Sequence, residues 1–453
     1  MNPYINKAIK TLWAFTFLAL LNSCQVLDTV PELEIGEESS ITDKKSAEAA
    51  LIGAYNSLGA NSYQGVTFRS LVNLTGDNLR WVGNSPANRE FDVHQIFATN
   101  SRVEDLWSAI YKTINITNNI IAAVPLANDQ TFSQADKDRI LGEAHFIRAL
   151  AYFDLVRLWN NVPILTETTK NASSGEGITN SASAEVYALI ENDLNAAETL
   201  LPVTLQRNRA NAFTAKALKA RLYLYLQNWD KAESYASEVI NQNAFFSLVK
   251  PYNRFYLEKN TPESIFEIDY TINNRNNYAI NWLPGSLGGR REWLPSDDLI
   301  SSLKDPAIGG DRSALLLDVN TPQGVVTYGN MNFKVATGED QVYVLRLAEM
   351  YLTRAEARAE LNNFTGAIED INLIRERANA LPVADTQDKN ILIKTILAER
   401  RLELAFESHR WFDLVRRGEA QEVLQIPDAN RLVFPIPRQQ LLIDKDLVQN
   451  PGY

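Results

Sequence analysis

One cysteine, Cys24, and three histidines, His94, His145 and His409, are all that the 453 residues offer of thiol and imidazole metal ligands. A lone thiol cannot close an intramolecular disulfide, and it excludes a four-thiolate metal site. The histidines lie far apart in the sequence, so they suggest no metal site, and nothing else in the chain implies a cofactor. Basic residues are the minority, 44 Lys and Arg against 55 Asp and Glu. The resulting formal net charge of −11 leaves no basic footprint for nucleic acid. Common catalytic signatures are missing too: there is no G-x-S-x-G, H-E-x-x-H, G-x-x-x-x-G-K-[ST] or G-x-G-x-x-G. A glycosidase needs only two carboxylates at the right separation, so a hydrolase stays open as an alternative. After residue 24 no run of ~18 apolar residues occurs, the length a membrane-spanning helix needs.

The N-terminus reads as an export address. Lys7 and Lys10 precede an apolar stretch, Thr11 to Leu21, that is too short to cross a hydrocarbon core of ~30 Å. Asn22 and Ser23 follow, then the only cysteine. The stretch Leu21-Asn22-Ser23-Cys24 resembles a bacterial lipobox, which implies cleavage of residues 1–23 and acylation of Cys24. Residues 24–40 are acidic, carry Pro31 and Gly36, and read as a tether. Residues 41–453 are expected to form a single domain.

Helical periodicity dominates that domain. Helices are expected over 44–58, 102–124, 136–159, 183–200 and 388–417. The third has apolar residues almost all round (Phe146, Leu150, Phe153, Leu158, Trp159), which predicts deep burial. Two segments, 217–240 and 352–375, look like copies. An offset of 135 aligns Ala220 with Ala355, Leu226 with Leu361, Asn228 with Asn363, Trp229 with Phe364 and Ala232 with Ala367. Each reads as helix, short Asn-aromatic turn, helix, the pattern of tetratricopeptide-like hairpins. The fold class is therefore mainly α: a helical-hairpin scaffold over 41–58, 102–240 and 343–418, with loop-rich, partly β regions over 59–101 and 241–340. In the second region, residues 264–272 alternate like a strand. The charges of 388–417 (Glu399, Arg400, Arg401, Glu403, Glu407, Arg410, Asp413, Arg416) read as ion pairs on or between helices.

Several stretches in order resemble the SusD/RagB family of Bacteroidetes outer-membrane lipoproteins. They are the lipobox, GEAHFIRALAYFDLVRLWNNVPIL (142–165), YVLRLAEMYLTRAEARAELNN (343–363), ILAERRLELAFESHRWFDLVRRG (396–418), RLVFPIP (431–437) and the terminal QNPGY (449–453). The resemblance covers nearly the whole chain. It implies a lipid-anchored protein facing the cell exterior that captures oligosaccharides, or peptides in the RagB branch, for a SusC-like TonB-dependent outer-membrane transporter. It also implies an aromatic platform in the loops, because sugar C–H faces stack on rings while polar groups fix the hydroxyls.

Candidates for that platform are Trp81, set in polar GDNLRWVGNSP (76–86), and Tyr278 and Trp282 in the loop-rich 273–297 stretch. Trp293 and Tyr63 are weaker candidates, and Asp77, Asn78 and Arg89 could serve the sugar hydroxyls. Trp159, Trp229, Phe364 and Trp411 read as structural. A lipid-anchored glycoside hydrolase and a protein-interaction scaffold are the competing functions.

Overall fold

A capping box opens the described fold: Asp43 accepts a hydrogen bond from the Ser46 amide and starts helix α1 (Lys44–Leu58). The structure, a computed structural model, describes residues 41–168 and 177–453. The expected signal segment, Cys24 and the tether lie outside the described residues.

Next come α2 (Thr67–Thr75), β1 (Leu79–Trp81), α3 (Pro86–Asp92), α4 (Ser101–Ala123), α5 (Gln134–Trp159), α6 (Ser183–Leu200), α7 (Ala212–Tyr225) and α8 (Trp229–Ile240). The middle of the chain supplies β2 (Ser264–Ile268), α9 (Tyr278–Trp282), β3 (Trp293–Pro295), α10 (Asp297–Lys304), β4 (Leu316–Thr321), β5 (Gly324–Gly329) and β6 (Val342–Arg346). It returns to helix with α11 (Leu347–Glu360), α12 (Phe364–Arg377), α13 (Lys389–Glu403) and α14 (Arg410–Arg416). The fold is mainly helical. Helices α4 to α8 pack in sequence order, and α11 joins α8, α12 and α13.

The internal repeat is a repeat of turn geometry. Leu226 and Leu361 end α7 and α11 near φ −80°, ψ 0°. Gln227 and Asn362 then take the left-handed conformation, with φ 53° and 64°. Asn228 and Asn363 cap the next helix, each side chain accepting from the backbone amide three residues on. Their own amides donate back to the Tyr223 and Arg358 carbonyls, closing each helix end. Ala220, Ala232, Ala355 and Ala367 are fully buried, which lets the paired helices approach closely.

Helix α5 is buried from Gly142 to Trp159 at every residue but His145, as its apolar circumference requires. The indole of Trp159 donates to the Pro435 carbonyl at 2.8 Å, while Asn450 Nδ2 donates to Trp159's own carbonyl at 3.0 Å. The terminal QNPGY is thereby tied to the core.

Three expectations need correction. The single helix over 388–417 is two helices, broken across Leu404–His409, where Ser408 has φ 64°. The break buries Phe406 edge-on against Trp282, with ring centroids 5.0 Å apart. The segment from 343 opens in strand β6, which pairs antiparallel with β2, and β2 itself ends at Ile268 rather than at 272. The two loop-rich regions also carry regular structure: α2, α3 and β1 in the first, and α9, α10 and the β4–β5 hairpin in the second.

A buried ion-pair network holds the second region to the C-terminal helices. Glu403 of α13 is met by Arg312 at 2.9 Å, by Arg346 at 2.6 Å and by Arg377. Arg346 also reaches Glu263 at 2.5 Å and Glu407 at 2.6 Å, and Arg377 reaches Glu263 at 2.6 Å. Breaking such a pair strands a charge in a poorly solvating interior, so the network fixes which surfaces meet.

Candidate functional site

Five of the eight ligand candidates face inward. Tyr278 and Trp282, four residues apart on α9, share one buried face. The Arg69 guanidinium lies 4.1 Å from the Tyr278 ring centroid, and Trp282 Nε1 donates to the Asn332 carbonyl at 2.9 Å. Trp293 is buried in β3, opposite Trp81. Tyr63 is sealed as well, its hydroxyl donating to Asp154 at 2.7 Å. These four rings are packing residues: Tyr63 lies edge-on to Phe68 of α2, Tyr278 lies against Arg69 of the same helix, and Trp282 and Trp293 pack on Tyr278. Asn78 is buried too, donating to the Ala405 carbonyl at 2.7 Å and accepting from Arg401 Nε at 3.0 Å.

Asp77 is engaged by Arg410, with nitrogens at 2.7 and 3.0 Å, and by Arg401 at 3.3 Å. Burial pushes its carboxyl up, but the hydrogen bond and charge of Arg410, with Arg401, outweigh this and hold it below the usual range. Asp77 and Asn78 therefore tie the first region to α13 and α14. Two candidates keep access: Trp81 is half-buried and Arg89 is exposed.

The structure instead brings together residues that the sequence did not single out. A groove of about 330 Å³ runs between the first region with the start of α4 and the second region; Asn61, Ser62, Thr67, Arg102, Asp105, Asn277, Asn281 and Arg290 line it. That volume falls within the ~300–1,000 Å³ of small-molecule sites. An adjoining recess of about 30 Å³ shares Thr67, Arg102 and Asn281 and reaches Asn88 and the edge of Trp293. Since Trp293 pairs with Trp81 across the β1–β3 ladder, the half-buried Trp81 ring belongs to the same end of the molecule.

Local structure sets each wall. Asn100 caps α4 by accepting from the Arg102 amide at 2.8 Å, which puts Arg102 and Asp105 on its exposed first turn. Asn61 bridges the walls: its Nδ2 donates to the Arg275 carbonyl and its Oδ1 accepts from the Asn277 amide, both at 3.1 Å. Among the described residues, the side chains of Ser62, Asn277 and Arg290 make no hydrogen bond or ion pair, so their polar groups are free for a ligand. Arg102 and Asp105 stand 4.0 Å apart at solvent, where an ion pair contributes little. The donor set is thus amide, hydroxyl and guanidinium, with Asp105 the one carboxylate in the lining.

The helical scaffold is the fold of SusD-like proteins. The chain superposes on a laminarin binding SusD-like protein with a TM-score of 0.80 and 25% identity, over 91% of this chain and all of that one. Residues 321–432 match the model of the SusD family, and residues 27–224 match a model described as "Starch-binding associating with outer membrane". A SusD-like protein of Formosa agariphila, P38, is 27% identical over 96% of this chain and 97% of its own length. The starch-binding protein SusD of Bacteroides thetaiotaomicron is 25% identical over 72% of this chain and 75% of its own. The chain belongs to the SusD/RagB family.

Proposed function

We propose that the protein captures oligosaccharides in the groove between segments 61–105 and 277–290 and passes them, unhydrolysed, to a SusC-like TonB-dependent outer-membrane transporter. The observation that carries this reading is the convergence of free Ser62, Asn277 and Arg290 side chains from two distant segments on one open groove. Sugar hydroxyls need such donors and acceptors held in place, and the half-buried Trp81 at the same end supplies an apolar face for a sugar ring. The laminarin- and starch-binding relatives favour glycan over peptide. Hydrolysis commonly uses two carboxylates, and the lining supplies one, Asp105. Acylation of Cys24 would hold the domain at the membrane at ~0.8 kcal/mol per buried CH₂. No helix among the described residues is long and apolar enough to cross a membrane.

Calorimetry against laminarin, starch and other glycan oligosaccharides tests the reading. Micromolar-range binding is expected, weakened by Ser62→Ala, Asn277→Ala and Trp81→Ala, with no new reducing ends on long incubation. Release of reducing sugar would overturn it, as would full affinity in the variants. Cys24→Ala should move the protein from the membrane fraction to the soluble one.

A further inference from the structure

The groove presents guanidinium groups from both of its walls. Arg102 comes from the first turn of α4 and Arg290 from the segment before β3, 188 residues further along. In an acidic chain most arginines find carboxylates, as the three arginines around Glu403 do. Arg290 is exposed and its guanidinium meets no acceptor among the described residues. Arg102 has only Asp105, at 4.0 Å and in solvent, a pair that a stronger acceptor can displace at small cost. The free amide of Asn277 and hydroxyl of Ser62 sit in the same lining.

A neutral glycan would use the amide and hydroxyl groups but has no need of two positive charges. A planar guanidinium matches a carboxylate or sulfate with two parallel hydrogen bonds, a fit that an ammonium or an amide does not provide. The excess of guanidinium over carboxylate among the described lining residues gives the groove a local sign opposite to that of the whole chain, which favours an anion there. Resting on the capture reading above, we infer that the groove selects acidic glycans, with Arg102 and Arg290 engaging a uronate carboxylate or a sulfate ester while Asn277 and Ser62 hold neighbouring hydroxyls.

The test is calorimetry of the intact protein with a panel of uronic-acid and sulfated oligosaccharides, each beside its carboxyl-reduced or desulfated counterpart. The expected result is an acidic member bound on the order of tenfold tighter than its neutral counterpart, with affinity falling as NaCl rises from ~0.05 to ~0.5 M. Preference for the uronate or the sulfate arm identifies the acid. Arg102→Met with Arg290→Met should erase the difference while leaving the circular dichroism spectrum and melting temperature unchanged. Equal binding of the neutral counterpart, lost in Asn277→Ala, would overturn the acidic selectivity and leave the capture groove standing. Acid-selective binding that survives both Met substitutions would overturn it as well. Binding of no member, acidic or neutral, would remove the capture reading and this inference with it.

Discussion

Arg410 holds Asp77 with two nitrogens, at 2.7 and 3.0 Å, across 333 residues of chain. The pair joins the segment just after α2 to the first residue of α14. Asp77→Asn should lower stability by ~1–3 kcal/mol in urea denaturation, since a charge-assisted, partly buried pair is lost. Glycan affinity of the folded variant should be unchanged. A loss of affinity without a loss of stability would return Asp77 to the ligand site.

Trp282 offers the same contrast in an apolar setting. Its six-membered ring lies over Gly329, so that a Cβ added there would overlap the indole. Gly329→Ala should cost ~1–3 kcal/mol by overpacking, and Trp282→Ala ~3–5 kcal/mol by leaving a cavity. Both are measured by denaturant midpoint, with glycan binding retained under conditions where the variants are folded.

The Asn-aromatic turns make a smaller, local prediction. Asn363→Ala removes the acceptor that meets the Gly366 amide at 3.1 Å, and should cost ~1 kcal/mol. Asn228→Ala at the equivalent turn should cost a similar amount. Thermal melts read both.

Acid should remove two stabilising contributions in turn. Burial, reinforced by Arg221 and Arg400 and opposed by Glu349, pushes the His409 imidazole down to about 3 from an ordinary 6.5. Because the unfolded chain takes up that proton first, the stabilising effect of neutral His409 is complete above pH 6.5 and drains away as pH falls toward 3. The loss is at most ~1.4 kcal/mol per pH unit for one proton. Glu403 joins below 4.5: burial raises its carboxyl, but Arg377, Arg346 and Arg312 outweigh burial and hold it well below its ordinary value. The His409 and Glu403 contributions therefore both shrink as pH falls, against buried carboxyls such as Glu407 and Glu267 that burial holds above their ordinary values and that act in the opposite sense. The difference in stability between the unaltered protein and His409→Gln should shift by up to ~1.4 kcal/mol per pH unit between pH 6.5 and 4.5. A difference independent of pH over that window would contradict the His409 reading.

Much of the scaffold was legible because α1 and α6 bury a periodic apolar face and α5 an apolar circumference, both of which can be counted in the sequence. The 135-residue offset worked for the same reason, since the turn needs a capping Asn and small residues at fixed places. The break after Glu403 was not legible: LAFESHRW has neither Gly nor Pro, and Ser408 is held left-handed by the burial of Phe406 and by the pairing of Glu407 with Arg346. Tyr63, Tyr278, Trp282 and Trp293 are buried although polar residues surround them in sequence, so polar neighbours do not by themselves mark an exposed loop. The four-residue spacing of Tyr278 and Trp282 was a signal for a shared buried face. Nothing in the sequence places Arg102 beside Arg290, because each comes from a different segment and only the folded chain brings them together.

Asn61 remains, joined on one side chain to both the carbonyl of Arg275 and the amide of Asn277. That amide ties together two walls encoded more than two hundred residues apart, alongside the β1–β3 ladder that pairs the same two regions. On the capture reading, the lining of either wall can vary by point changes on one segment, whereas a substitution at Asn61 touches both walls at once.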